Sequence, residues 1–264
     1  MNGLDLWTQK LNAYRANRGR SDTAWWSDYA AWYNRWSAEN DNCRFIYPAI
    51  QKHIQGQVLE LGAGTGMITQ RLVKDARHVD ALEPSAAMRG FLQRNLANAA
   101  NLTLIPLKIE DYLDCLRRYQ AIIAVNAVYN IAEIDVVLTH LLKATNYLAV
   151  VIGTGQKVAF FEAIREQFVG QERSSPPGQR ELTLVLDDLG ISYQVDILDI
   201  PMSYYFTNRP ALLDWLLPYF SLTEAQQPAL AEFIEPYLQE DDKNVWFTTT
   251  RQQALVQMGE FLMA

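Results

Sequence analysis

From Val58 onward the chain alternates short apolar runs with stretches of helical period. The run 57–61 reads as a buried strand, and the spacing after Gly66 predicts a helix over roughly 66–75. His78 to Glu83 reads as a second strand, followed by Pro84 and a helix over Ala86 to Asn98. Leu102–Leu107 forms a third, Tyr119–Asn126 a fourth and Tyr147–Ile152 a fifth, with a helix over about 133–143 before the last. Strands alternating with helices of this length predict right-handed βαβ units and a mostly parallel sheet covered on both faces.

The flanks carry different patterns. Residues 1–55 are aromatic-rich and helical in period, and Trp25, Tyr29, Trp32 and Trp36 share one face, with Trp26 and Tyr33 on the neighbouring stripe. Asn42–Pro48 interrupts this pattern, and Ala49–Ile54 predicts a short helix leading into the first strand. After Gly153 the spacing predicts helices over Val158–Phe168 and Glu181–Leu189, separated by a Ser-Ser-Pro-Pro-Gly loop within Glu172–Gly178. Ser192–Ile200 alternates as a sixth strand, and Pro210 to about Gln239 is helical, broken at Pro218, Pro228 and Pro236. Asn244–Thr250 reads as the final strand.

Composition narrows the function classes. The 264 residues carry a net charge of −7, which argues against a broad nucleic-acid face or an anionic membrane partner. No window approaches a transmembrane length, and the opening residues lack the basic and apolar regions of a secretory signal, so a cytoplasmic location is expected. Cys43 and Cys115 read as reduced thiols. His53, His78 and His140 share no ligand spacing, so no metal is assigned.

The candidate chemistry lies in Glu60-Leu61-Gly62-Ala63-Gly64-Thr65-Gly66, an acidic strand end followed by glycines at alternate positions. Such a turn allows the backbone to approach a ligand closely. A dinucleotide fingerprint needs its third glycine at position 67, where Met67 stands, which weakens the reading as a nicotinamide oxidoreductase. Glu83 closes the second strand some 20 residues on, where a carboxylate grips a ribose diol.

These segments resemble the class I S-adenosylmethionine-dependent methyltransferases. Glu60 to Gly66 is similar to the first family motif, and Ala81-Leu82-Glu83-Pro84-Ser85-Ala86-Ala87-Met88 to the second. Ile109-Glu110-Asp111 stands where the family has an acidic segment beside the adenine. Asn126-Ala127-Val128-Tyr129-Asn130 stands at the end of strand four, which lines the methionine end and the substrate. The resemblance covers about 57–152. It implies cofactor contacts from Glu60, Gly62, Ala63, Gly64, Gly66, Glu83, Pro84, Ser85, Met88, Ile109, Glu110, Asp111, Asn126 and Ala127. Outside the resemblance, Tyr29 and Trp36 of the aromatic helix are cofactor candidates because aromatic faces contact a cationic sulfur. Tyr129, Asn130 and Tyr33 are the residues expected to position the acceptor.

Two departures stand out. Ala144-Thr145-Asn146 replaces the family's Pro-Gly-Gly turn, with Asn146 expected to tolerate positive φ. Asn126-Ala127-Val128-Tyr129 is not the Asn-Pro-Pro-Tyr motif of amino methylation, which leaves the acceptor atom open.

The fold implied is an α/β three-layer sandwich with a seven-stranded, mostly parallel sheet, in one domain over 1–264. It comprises a helical cap (1–55), a cofactor-binding core (56–153) and a C-terminal part (154–264). Ser192–Ile200 and Asn244–Thr250 form the closing antiparallel pair, with an insertion over about 209–241 roofing the acceptor pocket. The expected function is methyl transfer to a small-molecule acceptor, and the alternative is a non-catalytic cofactor-binding partner or sensor. The aromatic N-terminal arm is able to pack against a second subunit as a homodimer.

Overall fold

A computed structural model describes residues 2–16, 22–170 and 174–259, with the side chains of Asp22 and Thr23 outside the description. Two compact units emerge. The first comprises Met1–Gly155, Ser174–Leu198 and Gln252–Ala264, and the second Gln156–Arg173 and Asp199–Arg251.

In the first unit the helices are α1 (Gly3–Ala16), α2 (Asp22–Glu39), α3 (Cys43–Ile50), α4 (Thr69–Asp75), α5 (Ala86–Asn95) and α6 (Ile134–Ala144). Its strands are β1 (Gln57–Leu61), β2 (His78–Leu82), β3 (Leu102–Ile105), β4 (Ala121–Val125) and β5 (Tyr147–Gly153). The second unit opens with α7 (Ala159–Ile164), and the chain returns to the first with α8 (Gln179–Asp188). Two long strands, β6 (Tyr193–Phe206) and β8 (Val245–Gly259), contribute to both units. The second unit also holds α9 (Arg209–Phe220), α10 (Gln227–Ile234) and the short β7 (Gln239–Glu240).

The sheet has eight strands in the order β3-β2-β1-β4-β5-β8-β6, with β7 paired to β8. Strands β1 to β5 are parallel and β8 runs antiparallel to β5, which is the mostly parallel sheet flanked by helices that the sequence pattern predicts. Leu59, Ile122, Leu148, Val150, Val256 and Met258 point to one face, where Trp7 of α1, Leu138 and Leu141 of α6 and Leu182 and Val185 of α8 cover them. Residues of the other parity, such as Val58, Val79, Ile123 and Ala149, are equally buried, so both faces are closed. Near that second face, Tyr47 of α3 donates its hydroxyl to Asp75 of α4 at 2.6 Å.

Three expectations need correction. Cys43–Ile50 is helix although Pro48 lies within it, because its other positions place Cys43, Ile46, Tyr47 and Ile50 on one buried stripe. Cys43 is buried there, which pushes its thiol up to about 12. Pro218 does not break its helix; α9 continues to Phe220 and stops at Ser221, which takes a left-handed φ of 57°. The last strand is not confined to 244–250. It extends to Gly259, and the part that closes the sheet against β5 is Gln253–Gly259. Gln253 and Gln257 disguise this segment as polar. Both are buried and hydrogen-bonded, Gln257 to Asp196 at 2.7 Å and to the hydroxyl of Tyr147 at 2.8 Å. Glu172 and Arg173 of the expected loop lie outside the described residues.

In the second unit, Phe160, Phe161, Tyr204, Phe220 and Phe247 are buried together, with Tyr204 and Phe160 stacked on Phe247 at 4.8 and 3.9 Å between centroids. Aromatic pairs of this kind supply much of the packing in a unit with little sheet. Asp241 closes the β7–β8 hairpin by accepting the Lys243 and Asn244 N–H groups at 2.8 and 2.7 Å.

One polar cluster is buried inside the first unit. Asp80 of β2, 3% exposed, accepts from the Tyr119 hydroxyl at 2.8 Å and from Arg117 at 2.6 Å. A buried carboxylate is tolerated only when so satisfied. Tyr119→Phe removes the buried donor, and urea unfolding is expected to show a loss of about 1–3 kcal/mol; an unchanged midpoint would mean that Arg117 and His78, 3.3 Å from Asp80 Oδ1, suffice.

Candidate functional site

The order of strands reverses between β1 and β4, because the chain winds outward through β2 and β3 before crossing back to β4 and β5. In open sheets this switch point leaves a crevice beyond the carboxyl ends of the strands. The Gly62–Gly66 turn follows β1 and Asn126–Asn130 follows β4, so the two segments flank that crevice.

The three glycines of the turn do different work. Gly62 has φ 64°, and a Cβ added there would lie 2.7 Å from the Ala127 methyl, so the first glycine lets the turn close on the end of β4. Gly66 has φ 93°, and its added Cβ would press Leu92 of α5 at 3.2 Å. Gly64, with φ 59°, has only Tyr33 Cε1 near its notional Cβ, at 3.9 Å. Its backbone is therefore the one that a bulky ligand is able to approach.

Glu83 ties the second strand to this turn. Its Oε2 accepts the Gly64 N–H at 2.8 Å and its Oε1 accepts the Ser85 N–H at 2.7 Å, while Arg89 donates to its backbone carbonyl at 2.6 Å. Ser85 in turn caps α5, its hydroxyl accepting from the Met88 N–H at 3.4 Å. Glu83 is buried, and both of its carboxylate oxygens accept backbone N–H groups.

Glu60 lies beneath the turn, 1% exposed, and its Oε2 has no hydrogen-bond partner among the described residues. Burial pushes its carboxyl up to about 8, the Thr69 hydroxyl works against that, and the neighbouring Glu83 adds to it. An orphaned buried carboxyl oxygen beside an accessible backbone turn suits a ligand that brings its own donors.

Helix α2 lies across these elements. Ser37 meets Thr65 at 3.4 Å between hydroxyls, Ser27 meets Ser85 at 3.4 Å, and the Asn95 amide of α5 donates to Asn34 at 2.9 Å. The helix buries Ala30 and Ser37, while its aromatic stripe is half-buried. Trp25, Tyr29, Trp32 and Trp36 follow one another at centroid spacings of 4.4, 4.7 and 5.9 Å, and Tyr33 packs against Trp36 at 5.7 Å. Tyr33 of this group reaches the glycine turn.

Helix α1 holds the segment after β4. Trp7 donates its indole N–H to the Ile131 carbonyl at 2.8 Å, and Tyr14 packs edge-on against Tyr129 at 6.3 Å. Arg15 donates to Asn130 Oδ1 at 3.0 Å and also to its carbonyl. Asn130 and Tyr129 therefore meet side chains of α1, an arrangement with no local sequence signal. Ile109 is buried below the exposed Glu110 and Asp111, and its carbonyl accepts the Tyr112 N–H at 2.9 Å.

The left-handed residue is not Asn146 but Asn126, with φ 53° at the end of β4. The turn before β5 is held instead by Thr145, whose hydroxyl donates to the Tyr119 carbonyl at 3.1 Å. Gln253 of β8 bonds Asn126 Oδ1 at 3.1 Å; sequence reasoning missed it because it lies 127 positions away in the chain. Among the described residues no cluster of His, Cys, Asp or Glu is placed to hold a metal, and no helix is long and apolar enough to cross a membrane.

Residues 58–147 match the family model described as a methyltransferase domain. A provisionally assigned Type II methyltransferase from Anaeromyxobacter dehalogenans shares the fold with a TM-score of 0.52 at 15% identity, over 80% of this chain and 95% of its own. A DhpI–SAH complex superposes with a TM-score of 0.49 at 14% identity, over 94% and 97% of the two chains. Magnesium protoporphyrin IX methyltransferase from Synechocystis PCC 6803 with bound SAH gives 0.45 at 14% identity, over 82% and 80%. No curated protein matches the chain.

Two consequences are measurable. Gly62→Ala, which meets both backbone strain and the Ala127 methyl, is expected to cost about 2 kcal/mol or more in chemical unfolding, against ~1 kcal/mol for Gly64→Ala; equal losses would refute the difference in roles. Because the folded-state pKa of Glu60 is raised from 4.5 to about 8, the protonated carboxyl is favoured by folding. Its contribution is complete below about pH 4.5 and is lost as pH rises through 8. Glu60→Gln is therefore expected to leave the melting temperature near pH 4 unchanged and to raise it at pH 9, by as much as ~5 kcal/mol in free energy. A melting-temperature difference that does not vary with pH would show that Glu60 is not the titrating group.

Proposed function

We propose that this protein binds S-adenosylmethionine at the switch point and transfers its methyl group to a small-molecule acceptor. The observation that carries the reading is the Glu83 carboxylate bonded to the Gly64 N–H, which sets a diol-gripping group beside the one open glycine of the turn. The orphaned Glu60 Oε2 beneath that turn is a second point of fit.

In this reading Glu83 accepts the ribose hydroxyls, while Pro84, Ser85 and Met88 hold that carboxylate's end of β2 and the start of α5. Ile109, Glu110 and Asp111 border the adenine. Glu60, Gly62, Ala63, Gly64, Gly66, Asn126 and Ala127 surround the amino-acid end. The cofactor supplies a sulfonium-activated methyl group, passed to an acceptor lone pair as the carbon–sulfur bond breaks. What the chain must then supply is alignment and exclusion of water. Tyr33, at the glycine turn, and Tyr29 and Trp36 along the same helix offer aromatic faces to a cationic sulfur or to a planar acceptor. Tyr129 and Asn130, braced by α1, border the acceptor from the β4 side. The acidic net charge favours a small molecule over nucleic acid, and the location proposed is cytoplasmic.

Isothermal titration with S-adenosylmethionine, S-adenosylhomocysteine and a nicotinamide dinucleotide tests the binding. Release of S-adenosylhomocysteine across a metabolite panel then tests turnover. Nicotinamide binding alone would sink the proposal, and tight adenosylmethionine binding without turnover on any acceptor would favour a sensor. Glu83→Ala is expected to weaken cofactor affinity at least ten-fold and, by freeing two backbone N–H groups, to cost about 1–3 kcal/mol of stability. Retained affinity would show the site to be elsewhere.

A further inference from the structure

The end of β4 is held in an unusual conformation by a residue from a distant strand. Asn126 has a left-handed φ of 53°, and its backbone N–H donates to the Val151 carbonyl at 2.8 Å. Its side-chain Oδ1 accepts from Gln253 Nε2 at 3.1 Å. Gln253 is 5% exposed, stands opposite Gly153 in the β5–β8 register, and so reaches across the end of β5 to a residue that ends β4. Next to Asn126, the Ala127 methyl fills the space that Gly62 leaves open. The Asn126 carboxamide thus has one end fixed, on the residue that precedes the one packed against Gly62.

A primary amide has one accepting end and one donating end, and a bond to the first decides which way the second faces. With Oδ1 held by Gln253, the Nδ2 group is the end left for a ligand. We propose that Gln253 is a positioning residue for the cofactor. It orients the Asn126 carboxamide so that Nδ2 donates to the amino-acid carboxylate or another acceptor atom at the end of the cofactor away from the adenine. This role rests on the cofactor reading above.

The test uses the full chain and two ligands, S-adenosylhomocysteine and adenosine, the latter lacking the amino-acid end. Gln253→Leu frees the carboxamide to rotate. Its affinity for S-adenosylhomocysteine is expected to fall about ten-fold, with adenosine affinity within about two-fold of wild type. Asn126→Asp keeps an acceptor for Gln253 but removes the Nδ2 donor, and the same selective loss is expected from a chain whose β8 is untouched. Adding Gln253→Leu to Asn126→Asp is expected to cost little more, the signature of two residues acting as one unit. Equal losses for both ligands in Gln253→Leu, or unchanged S-adenosylhomocysteine affinity in Asn126→Asp, would overturn the role. A wild-type chain that binds adenosine but not S-adenosylhomocysteine would also overturn it. Wild-type protein that binds neither would overturn the cofactor reading itself, and this role with it.

Discussion

The bond between the Glu83 carboxylate and the Gly64 N–H is the contact on which the site depends. It joins the end of β2 to the turn after β1, beyond the last ladder pair, Leu61 with Leu82, and beside the Ala63 N–H to Leu82 carbonyl bond. The same carboxylate takes the Ser85 N–H and so fixes the start of α5. One buried acidic group therefore sets the turn, the strand end and the helix entry together. A carboxylate in this position costs little, because charge-assisted bonds to backbone N–H groups replace its water.

Around that contact the glycines divide the labour. Gly62 and Gly66 are required by the chain itself, against Ala127 and Leu92, and only Gly64 keeps its backbone open. The turn's shape is thus dictated from below by packing, while beside Gly64 only the Tyr33 ring stands near the space a Cβ would take. Glu60 adds an opposite tension. Its carboxyl is buried at a cost that rises with pH, and the structure holds no partner for Oε2 among the described residues. Groups that destabilise a ligand-free protein in this way are typical of binding sites.

The flanking helices act on the two sides of the crevice through different chemistry. Helix α1 grips the segment after β4 with an indole N–H, an arginine and an edge-on tyrosine, which restricts a loop that would otherwise be free to move. Helix α2 meets the glycine turn and α5 through small hydroxyls and amides, and leaves its aromatic rings half-buried in a row. A stripe at helical spacing normally signals core. Here the core-facing positions are the small Ala30 and Ser37, so the same periodicity marks a surface beside the site.

Local pattern alone determined the alternating strands and helices from Gln57 to Ile152, because strands buried on both faces are continuous apolar runs and glycine turns punctuate them. It also determined the acidic residue at the end of β2, since spacing along one chain is enough to align Glu83 with the turn. The extent of β8 was hidden, because Gln253 and Gln257 read as surface residues until Asn126 and Asp196 are brought to them by the sheet. Position 146 misled for a related reason: tolerance of positive φ is a property of asparagine, whereas its use is decided by contacts, and these fall at Asn126. The fate of the aromatic stripe, the bracing of Asn130 by Arg15 and the pinning of Asn126 by Gln253 belong wholly to tertiary structure. The last two join residues 115 and 127 positions apart, and a hydrogen bond across such a distance exists only once the sheet has set both ends in place.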